Sequence, residues 1–189
     1  MRLYTWNISV ASAFWGSFNA LEVSLRNAVH AELGALAGQE DWWHAALPLH
    51  PFEQKRVVEA QLAAQRAQRK DLQTGHVVAE LSLGFWIGLL ANKYHQRLWV
   101  PALHQAFPHV TGKRRDLHKK LETLRKLRNR IAHHEPIFAR NLSADHQRVL
   151  AVLGTISPAA VEWVEHHSRV PETIARRQAV IDGSETTTF

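Results

Sequence analysis

The most constraining feature of this 189-residue chain is a long apolar periodicity near its start. Between Ile8 and Leu36 apolar residues recur every three or four positions, at 11, 14, 18, 21, 25, 29 and 36. One turn of an α-helix takes 3.6 residues, so this spacing places them on a single helix face. Gly38 follows the last of them and predicts the end of the helix. The sequence therefore predicts a long amphipathic first helix.

Helical patterns also dominate the remainder of the chain. Residues 52–72 predict a peripheral helix with a thin apolar stripe, and residues 76–99 predict a helix buried on several sides. Further helices are predicted over 113–134, from a cap at Ser143 to Gly154, from a cap at Ser157 to His167, and from Pro171 onward. Strand alternation, internal repeats and long linkers are missing from the sequence. We predict an all-α bundle of about five to seven helices, with one domain over residues 1–181 and a flexible tail over 182–189.

Composition excludes several classes of protein. The chain lacks an apolar run of about 18 residues and the pattern of a secretory signal, so no membrane association is expected. It contains no cysteine, which rules out disulfides and thiolate metal sites. These features predict a cytoplasmic protein.

Positive charge is concentrated in one segment. The chain has a formal net charge of +6, and nine lysines and arginines lie between Lys113 and Arg130 against only Asp116 and Glu122. One segment thus makes the protein basic, which predicts a polyanionic partner, with nucleic acid as the first candidate. The alternative interpretation is a solvated helix face without a partner.

The end of the basic segment, LRKLRNRIAHHEPIF over residues 124–138, combines several kinds of chemistry. Arg128 falls within the apolar stripe of its helix, and Pro136 prevents the helix from continuing. Glu22 falls within the apolar stripe of the first helix, with Arg26 at the edge of that stripe. Because an isolated buried charge is costly, we expect Glu22 to contact Arg128, Arg26 or both. A structural ion pair without further function is the alternative.

His133 lies five residues after Arg128, at the end of the same helix. In a straight helix the two side chains project about 140° apart, so they do not share one stripe. They can line one cleft if the last turn loosens near Pro136, or if a second protomer supplies the opposite wall. Histidine titrates near neutral pH and is suited to transfer protons there.

Three stretches carry a resemblance to a known family. Arg128 and His133, with polar Asn129 between them, match the R-x4-H pattern of HEPN-superfamily ribonucleases. The strings YTWNISVASAFWGSFNALEVSLRNAVHAEL and LRKLRNRIAHHEPIF resemble two hallmark blocks of the Abi-like abortive-infection family, a HEPN group. The string VLGTISPAAVEWVEHHSRV resembles its C-terminal block, so the resemblance runs from Tyr4 to about Arg177. Such proteins usually carry a further segment before the first block, whereas this chain begins almost on it.

The resemblance implies a HEPN-like bundle that acts as a metal-independent, cofactor-free endoribonuclease and homodimer. Arg128 would neutralise charge on the phosphate, His133 would transfer protons, and Asn129 would orient one of these groups. An antitoxin or other inhibitor, protein or RNA, would restrain the enzyme in the cell. The residues implied to support the site are Glu22, Arg26, Asn27, Arg130, His134 and Glu135. The residues implied to bind flanking phosphates are Lys113, Arg114, Arg115, Lys119, Lys120, Arg125 and Lys126.

Two other functions fit part of the sequence. A HEPN-like module could bind RNA or a protein without cutting it. The 13 histidines also raise the question of a metal site, although they are scattered and form no H-E-x-x-H motif. Among the tryptophans, Trp42 and Trp43 lie in a connector and could stack on a base or cover the end of the bundle. Core packing is the expected role of the four at helix-face positions, Trp6, Trp15, Trp86 and Trp99.

Overall fold

The computed structural model describes residues 1–67 and 72–189 and opens with a single long helix, α1, over Arg2–Ala37. The helix begins earlier than the predicted start at Ile8. Gly38 adopts a left-handed φ of 72° and ends it as predicted. The buried residues of α1 repeat every three or four positions: Trp6, Val10, Phe14, Phe18, Leu21, Leu25, Val29 and Leu33. Five of the seven predicted positions, from Phe14 to Val29, lie on this buried stripe, whereas Ala11 is only half-buried and Leu36 is exposed.

The chain divides into two compact units, one of residues 1–24 and 119–189 and the other of residues 25–118. The helix α1 contributes residues to each of them. The unit over residues 25–118 contains α2 (Pro51–Ala67), α3 (Thr74–Glu80) and α4 (Leu83–Gly88). Three 3-10 turns lie at Trp42–His44, Asn92–Tyr94 and Leu103–Ala106, and a π-helical turn at His95–Trp99. The predicted helix over 52–72 corresponds to α2, and its continuation over 68–71 lies outside the described residues.

The single helix predicted over residues 76–99 is wrong, although its apolar residues are buried as expected. The backbone is extended at Leu81 and Ser82, where the Ser82 hydroxyl accepts a hydrogen bond from the Phe85 N–H at 3.4 Å and starts α4. Ala91 is extended as well. A local cap therefore interrupts an apolar run that periodicity alone cannot divide.

Trp42 belongs to the core of this unit. Its ring is fully buried, stacks on Phe85 at 6.2 Å and meets Trp86 edge-on at 6.4 Å. Its indole N–H donates to Nδ1 of His30 at 3.0 Å. Burial lowers the pKa of His30, which favours the neutral ring that this acceptor role requires. Of the two roles left open for Trp42, the structure shows that it covers the core.

The other unit combines residues 1–24 with residues 119–189. Its helices after α1 are α5 (Arg114–Ala132, of which residues 119–132 belong here), α6 (Leu142–Ile156), α7 (Pro158–His167), α8 (Val170–Ala175) and α9 (Arg177–Asp182). Ser157 caps α7 as predicted, with its hydroxyl accepting from the Ala160 N–H. Asn141, and not Ser143, caps α6. The last predicted helix begins at Val170 and divides at Arg176.

The final residues run back along α1. The hydroxyl of Thr187 lies 3.0 Å from that of Ser9, which itself donates to the Thr188 carbonyl at 3.2 Å. The described residues contain helices and turns and no strand, so the all-α class is confirmed. In the same part of the chain, none of the helices has the length and apolar character to cross a membrane.

Candidate active site

Arg128 and Glu22 form an ion pair between α5 and α1. Nε of Arg128 donates to Oε1 of Glu22 at 2.7 Å, and Nη2 lies 3.4 Å from Oε2. The predicted contact between Glu22 and Arg128 is therefore present. The two side chains are 32% and 26% exposed, respectively, so water still reaches the pair. A carboxylate that engages two nitrogens of a guanidinium fixes its plane and leaves Nη1 to another acceptor.

Trp15 is the third member of this cluster. The Arg128 guanidinium carbon lies 5.7 Å from the centroid of the Trp15 ring, within the range of a cation–π contact. Trp15 is 41% exposed, so its predicted place in the core is wrong. It follows Phe14 directly, and one residue turns a helix by about 100°, away from the buried stripe. That single-position offset is the signal by which the sequence distinguishes Trp15 from Phe14 and Phe18.

The C-terminal end of α5 has a defined geometry. The His133 N–H donates to the Asn129 carbonyl at 2.9 Å, so the backbone stays α-helical from Arg128 to His133. Glu135 N–H then bonds the Arg130 carbonyl at 2.8 Å, and His134 N–H bonds the Ile131 carbonyl at 3.1 Å. These two bonds form a Schellman motif. Of the two alternatives for bringing Arg128 and His133 to one cleft, a loosened last turn is not seen before His133, and the helix unwinds one residue later.

His134 occupies the left-handed position of this motif, with a φ of 57°. Glycine is the usual residue there, because a side chain makes the left-handed region unfavourable by about 1–2 kcal/mol. His134 is the one non-glycine residue with positive φ among the described residues. Strain of this kind is often kept at functional sites, where a side chain must project from a tight turn.

Asn7 holds the segment that follows this turn. Its buried side-chain oxygen accepts hydrogen bonds from the N–H groups of Ile137 at 2.8 Å and Phe138 at 3.1 Å. The residues after Pro136 are thereby fixed against α1. Sequence analysis did not identify Asn7. The available signal was a polar residue between Trp6 and Val10 at the edge of a buried stripe.

The remaining motif residues differ in their surroundings. His133 is exposed, and Asn129 is half-buried. Nε of Arg130 lies 3.2 Å from Oε2 of Glu135, an ion pair that spans the turn. Arg26 and Asn27 belong to the unit over residues 25–118, where Nε of Arg26 donates to the Asn27 side-chain oxygen at 3.4 Å. Their predicted role in bracing the site stays a prediction.

The predicted phosphate-binding cations fall into two groups. Arg114 is bound to the Leu90 carbonyl and to the Asn92 side chain, and Arg125 is bound to Glu122 at 2.8 Å. These two guanidinium groups already have acceptors within their own units. The other five are exposed: Lys113, Arg115, Lys119, Lys120 and Lys126. The exposed lysines on the part of α5 next to the motif are therefore the better candidates for contact with an anion.

A groove of about 330 Å³ runs beside the motif, between α1 and the turn after α5. Its aromatic wall contains the exposed rings of Tyr4 and Trp15. The other lining residues are Asn7, Ile8, Ala11, Ser12, Ile131, His134, Glu135 and Phe189. His134 thus lines the groove, whereas His133 is exposed and is not one of the lining residues.

A second histidine of this unit, His146, contrasts with His133. It is buried, and its Nε2 lies 3.2 Å from the hydroxyl of Ser168, which is 3.2 Å from that of Ser17. Burial lowers the pKa of His146 and favours its neutral form. His146 is therefore enclosed by contacts within its own unit, whereas the imidazole of His133 is accessible from solvent.

Within residues 1–67 and 72–189, His, Asp and Glu form no group of three or more that could hold a metal ion. Comparison of the chain with protein families, with curated proteins and with solved structures finds no match.

Proposed function

We propose that this protein is a metal-independent endoribonuclease of the HEPN type, similar to the Abi-like abortive-infection family. The observation that supports it best is the arrangement around Arg128. Glu22 and Trp15 orient a half-exposed guanidinium, and an exposed imidazole, His133, follows on the same helix. A structural ion pair needs neither the exposed ring over the cation nor a histidine at the helix end.

The chemistry suits cleavage of RNA by its own 2′-hydroxyl. The 2′ oxygen attacks phosphorus as the bond from phosphorus to the 5′ oxygen breaks, and the products are a 2′,3′-cyclic phosphate and a 5′-hydroxyl. One proton leaves the 2′-hydroxyl, and one is delivered to the departing 5′ oxygen. His133 is proposed to carry one of these transfers. Arg128 is proposed to neutralise the charge that develops on the phosphoryl oxygens.

The reaction is proposed to take place between two copies of the chain. The α-helical backbone from Arg128 to His133 directs the two side chains about 140° apart. A second protomer that places its His133 opposite the Arg128 of the first brings both groups to one phosphate. Lys119, Lys120 and Lys126 would bind neighbouring phosphates, so binding should weaken as salt concentration rises. In the cytoplasm such an activity would act as a toxin or phage-defence effector under the control of an antitoxin.

The first test uses Arg128→Ala and His133→Ala. Each should lower the rate of RNA cleavage by about 10²–10⁴-fold, because each removes a group that acts in the transition state. His166→Ala is the matched control, since His166 is an exposed histidine in the last turn of α7, a different helix from the one that carries the motif. Cleavage should survive EDTA, and the products should carry 2′,3′-cyclic phosphate ends.

Mixing the two inactive variants tests the proposed dimer. A mixed dimer holds one site with both groups intact, so partial recovery of cleavage is expected. Undiminished cleavage by both single variants would overturn the nuclease proposal. RNA binding without turnover, unaffected by either substitution, would instead identify a non-catalytic binding module.

A further inference from the structure

The groove beside the motif has features that a structural cleft does not need. Three of its aromatic side chains face solvent: Tyr4 is 62%, Trp15 41% and Phe189 73% exposed. Exposing large rings is unfavourable in water unless a partner covers them. Tyr4 and Trp15 both lie on α1, where they are separated by 11 positions, or about 16 Å. The groove therefore presents two well-separated rings of α1.

Polar groups also lie in or beside this groove. Arg128 lies over the ring of Trp15, and its side chain remains 32% exposed. Ser12, His134 and Glu135 line the groove and offer hydrogen-bond donors and acceptors. The lining also includes the small and aliphatic side chains of Ile8, Ala11 and Ile131. Flat apolar faces with polar edges beside a fixed cation complement a nucleobase attached to its phosphate.

We propose that this groove binds single-stranded RNA, with one nucleobase stacked on Trp15 and a second on Tyr4. The inference rests on the proposed function, because Arg128 would hold the phosphate next to the base on Trp15. Stacking on aromatic side chains tolerates any base, since every base has a π-face. The groove then positions the strand so that its reactive phosphate lies at Arg128. Sequence preference comes from the polar groups that line the groove.

The inferred ligand is a nucleic acid strand and not a peptide or a lipid. The chain is basic, and the part of α5 nearest the motif exposes Lys119, Lys120 and Lys126. A cation stacked on one aromatic ring and further cations on the adjoining helix form a pattern that combines stacking with phosphate contacts. Paired bases hide their faces in the helix stack, so an unpaired strand is the form that this groove fits.

The experiment measures binding of a 2′-O-methyl RNA oligonucleotide, which the proposed chemistry does not cleave. A series of such oligonucleotides carries one abasic position each. For the unmodified chain, one abasic position should raise the Kd by about 5- to 100-fold, the range expected for one stacked base. For Trp15→Leu, an abasic residue at the same position should change the Kd by less than about 2-fold, because the ring on which the base stacks is gone.

This comparison separates stacking from the effect of Trp15 on Arg128. A disturbed Arg128 weakens binding of the intact and the abasic strand alike, whereas lost stacking removes only the difference between them. Tyr4→Leu should remove the sensitivity at a second position. Trp163→Leu is the control, because Trp163 is an exposed tryptophan on α7 outside the groove. It should leave both sensitivities unchanged.

The outcomes distinguish this inference from the nuclease proposal. If Trp15-dependent base sensitivity is present but cleavage is absent, the groove binds RNA and the catalytic assignment falls. If cleavage depends on Arg128 and His133 while no abasic position distinguishes the parent from Trp15→Leu, the groove inference is overturned. It is equally overturned if the parent does not bind the oligonucleotide, or if Trp163→Leu has the same effect as Trp15→Leu.

Discussion

Each unit of this protein holds a carboxylate paired with a cation, and the two arrangements differ in their access to water. In the unit over residues 25–118, Glu53 is 5% exposed and accepts hydrogen bonds from Lys93 at 2.7 Å and from the Tyr94 hydroxyl at 2.8 Å. The Tyr94 hydroxyl in turn accepts from the His50 N–H at 2.9 Å. By contrast, Glu22 and Arg128 are both partly exposed, and a solvent-facing tryptophan contacts the arginine.

The pKa of Glu53 reflects the hydrogen bonds that its carboxylate accepts. Burial raises the pKa of this carboxyl, but the hydrogen bonds from Lys93 and Tyr94 outweigh burial and hold it below its ordinary value. Burial also raises the pKa of Tyr94, which therefore keeps the proton that it donates. The carboxylate of the buried cluster is enclosed by its own partners, whereas water reaches both members of the open pair.

The largest expected effect on stability comes from Glu53→Ala. It leaves the buried Tyr94 hydroxyl without its acceptor and Lys93 without its partner, which should lower the free energy of unfolding by about 3 kcal/mol. Glu59→Ala is the control, since Glu59 pairs with Arg56 at 3.1 Å on the exposed surface. This control substitution should lower the free energy of unfolding by less than about 1 kcal/mol. Urea denaturation of both variants measures the difference.

Acid provides a second measurement of the same carboxyl. Because the folded state holds the pKa of Glu53 below its unfolded value, this stabilisation is complete above the unfolded pKa and is lost as pH falls through the folded pKa. Glu53→Gln should therefore make the free energy of unfolding less dependent on pH in this acidic range. An unchanged slope would show that the cluster contributes less than its geometry indicates.

The next effect concerns activity and uses Glu22→Gln. The carboxamide keeps the shape of the side chain but loses the charge that orients Arg128, so cleavage should fall by about 10-fold through kcat. Stability should change by less than about 1 kcal/mol because the pair is partly solvated. If stability falls as far as in Glu53→Ala, the contrast between the two pairs is wrong.

The smallest expected effect is a gain in stability from His134→Gly. Glycine adopts the left-handed conformation without a steric penalty, so the free energy of unfolding should rise by about 0.5–1 kcal/mol. Gly38→Ala is the matched opposite substitution. Gly38 has a φ of 72°, so alanine at this position should lower the free energy of unfolding by a similar amount. A gain in stability with weaker RNA binding in His134→Gly would show that the strain is kept for the groove.

Much of the architecture could be predicted from local patterns. The stripe on α1, the end at Gly38 and the cap at Ser157 follow from the spacing and type of neighbouring residues. An ion pair of Glu22 with Arg128, Arg26 or both was also predicted, because an isolated charge on an apolar stripe is costly, and the structure shows the pair with Arg128. The interruption at Ser82 was missed, since an apolar run gives the same hydrophobic signal whether or not a cap divides it.

The sequence by itself determined the helical class, the faces that α1 and α5 bury, and the residue types at the motif. Only the tertiary structure decided that Trp15 contacts Arg128, that Asn7 holds the chain after Pro136, and that His134 lines the groove. The physical reason is that periodicity defines directions around one helix axis. Which groups meet across two helices depends on how their side chains pack, and that information is not local to either segment.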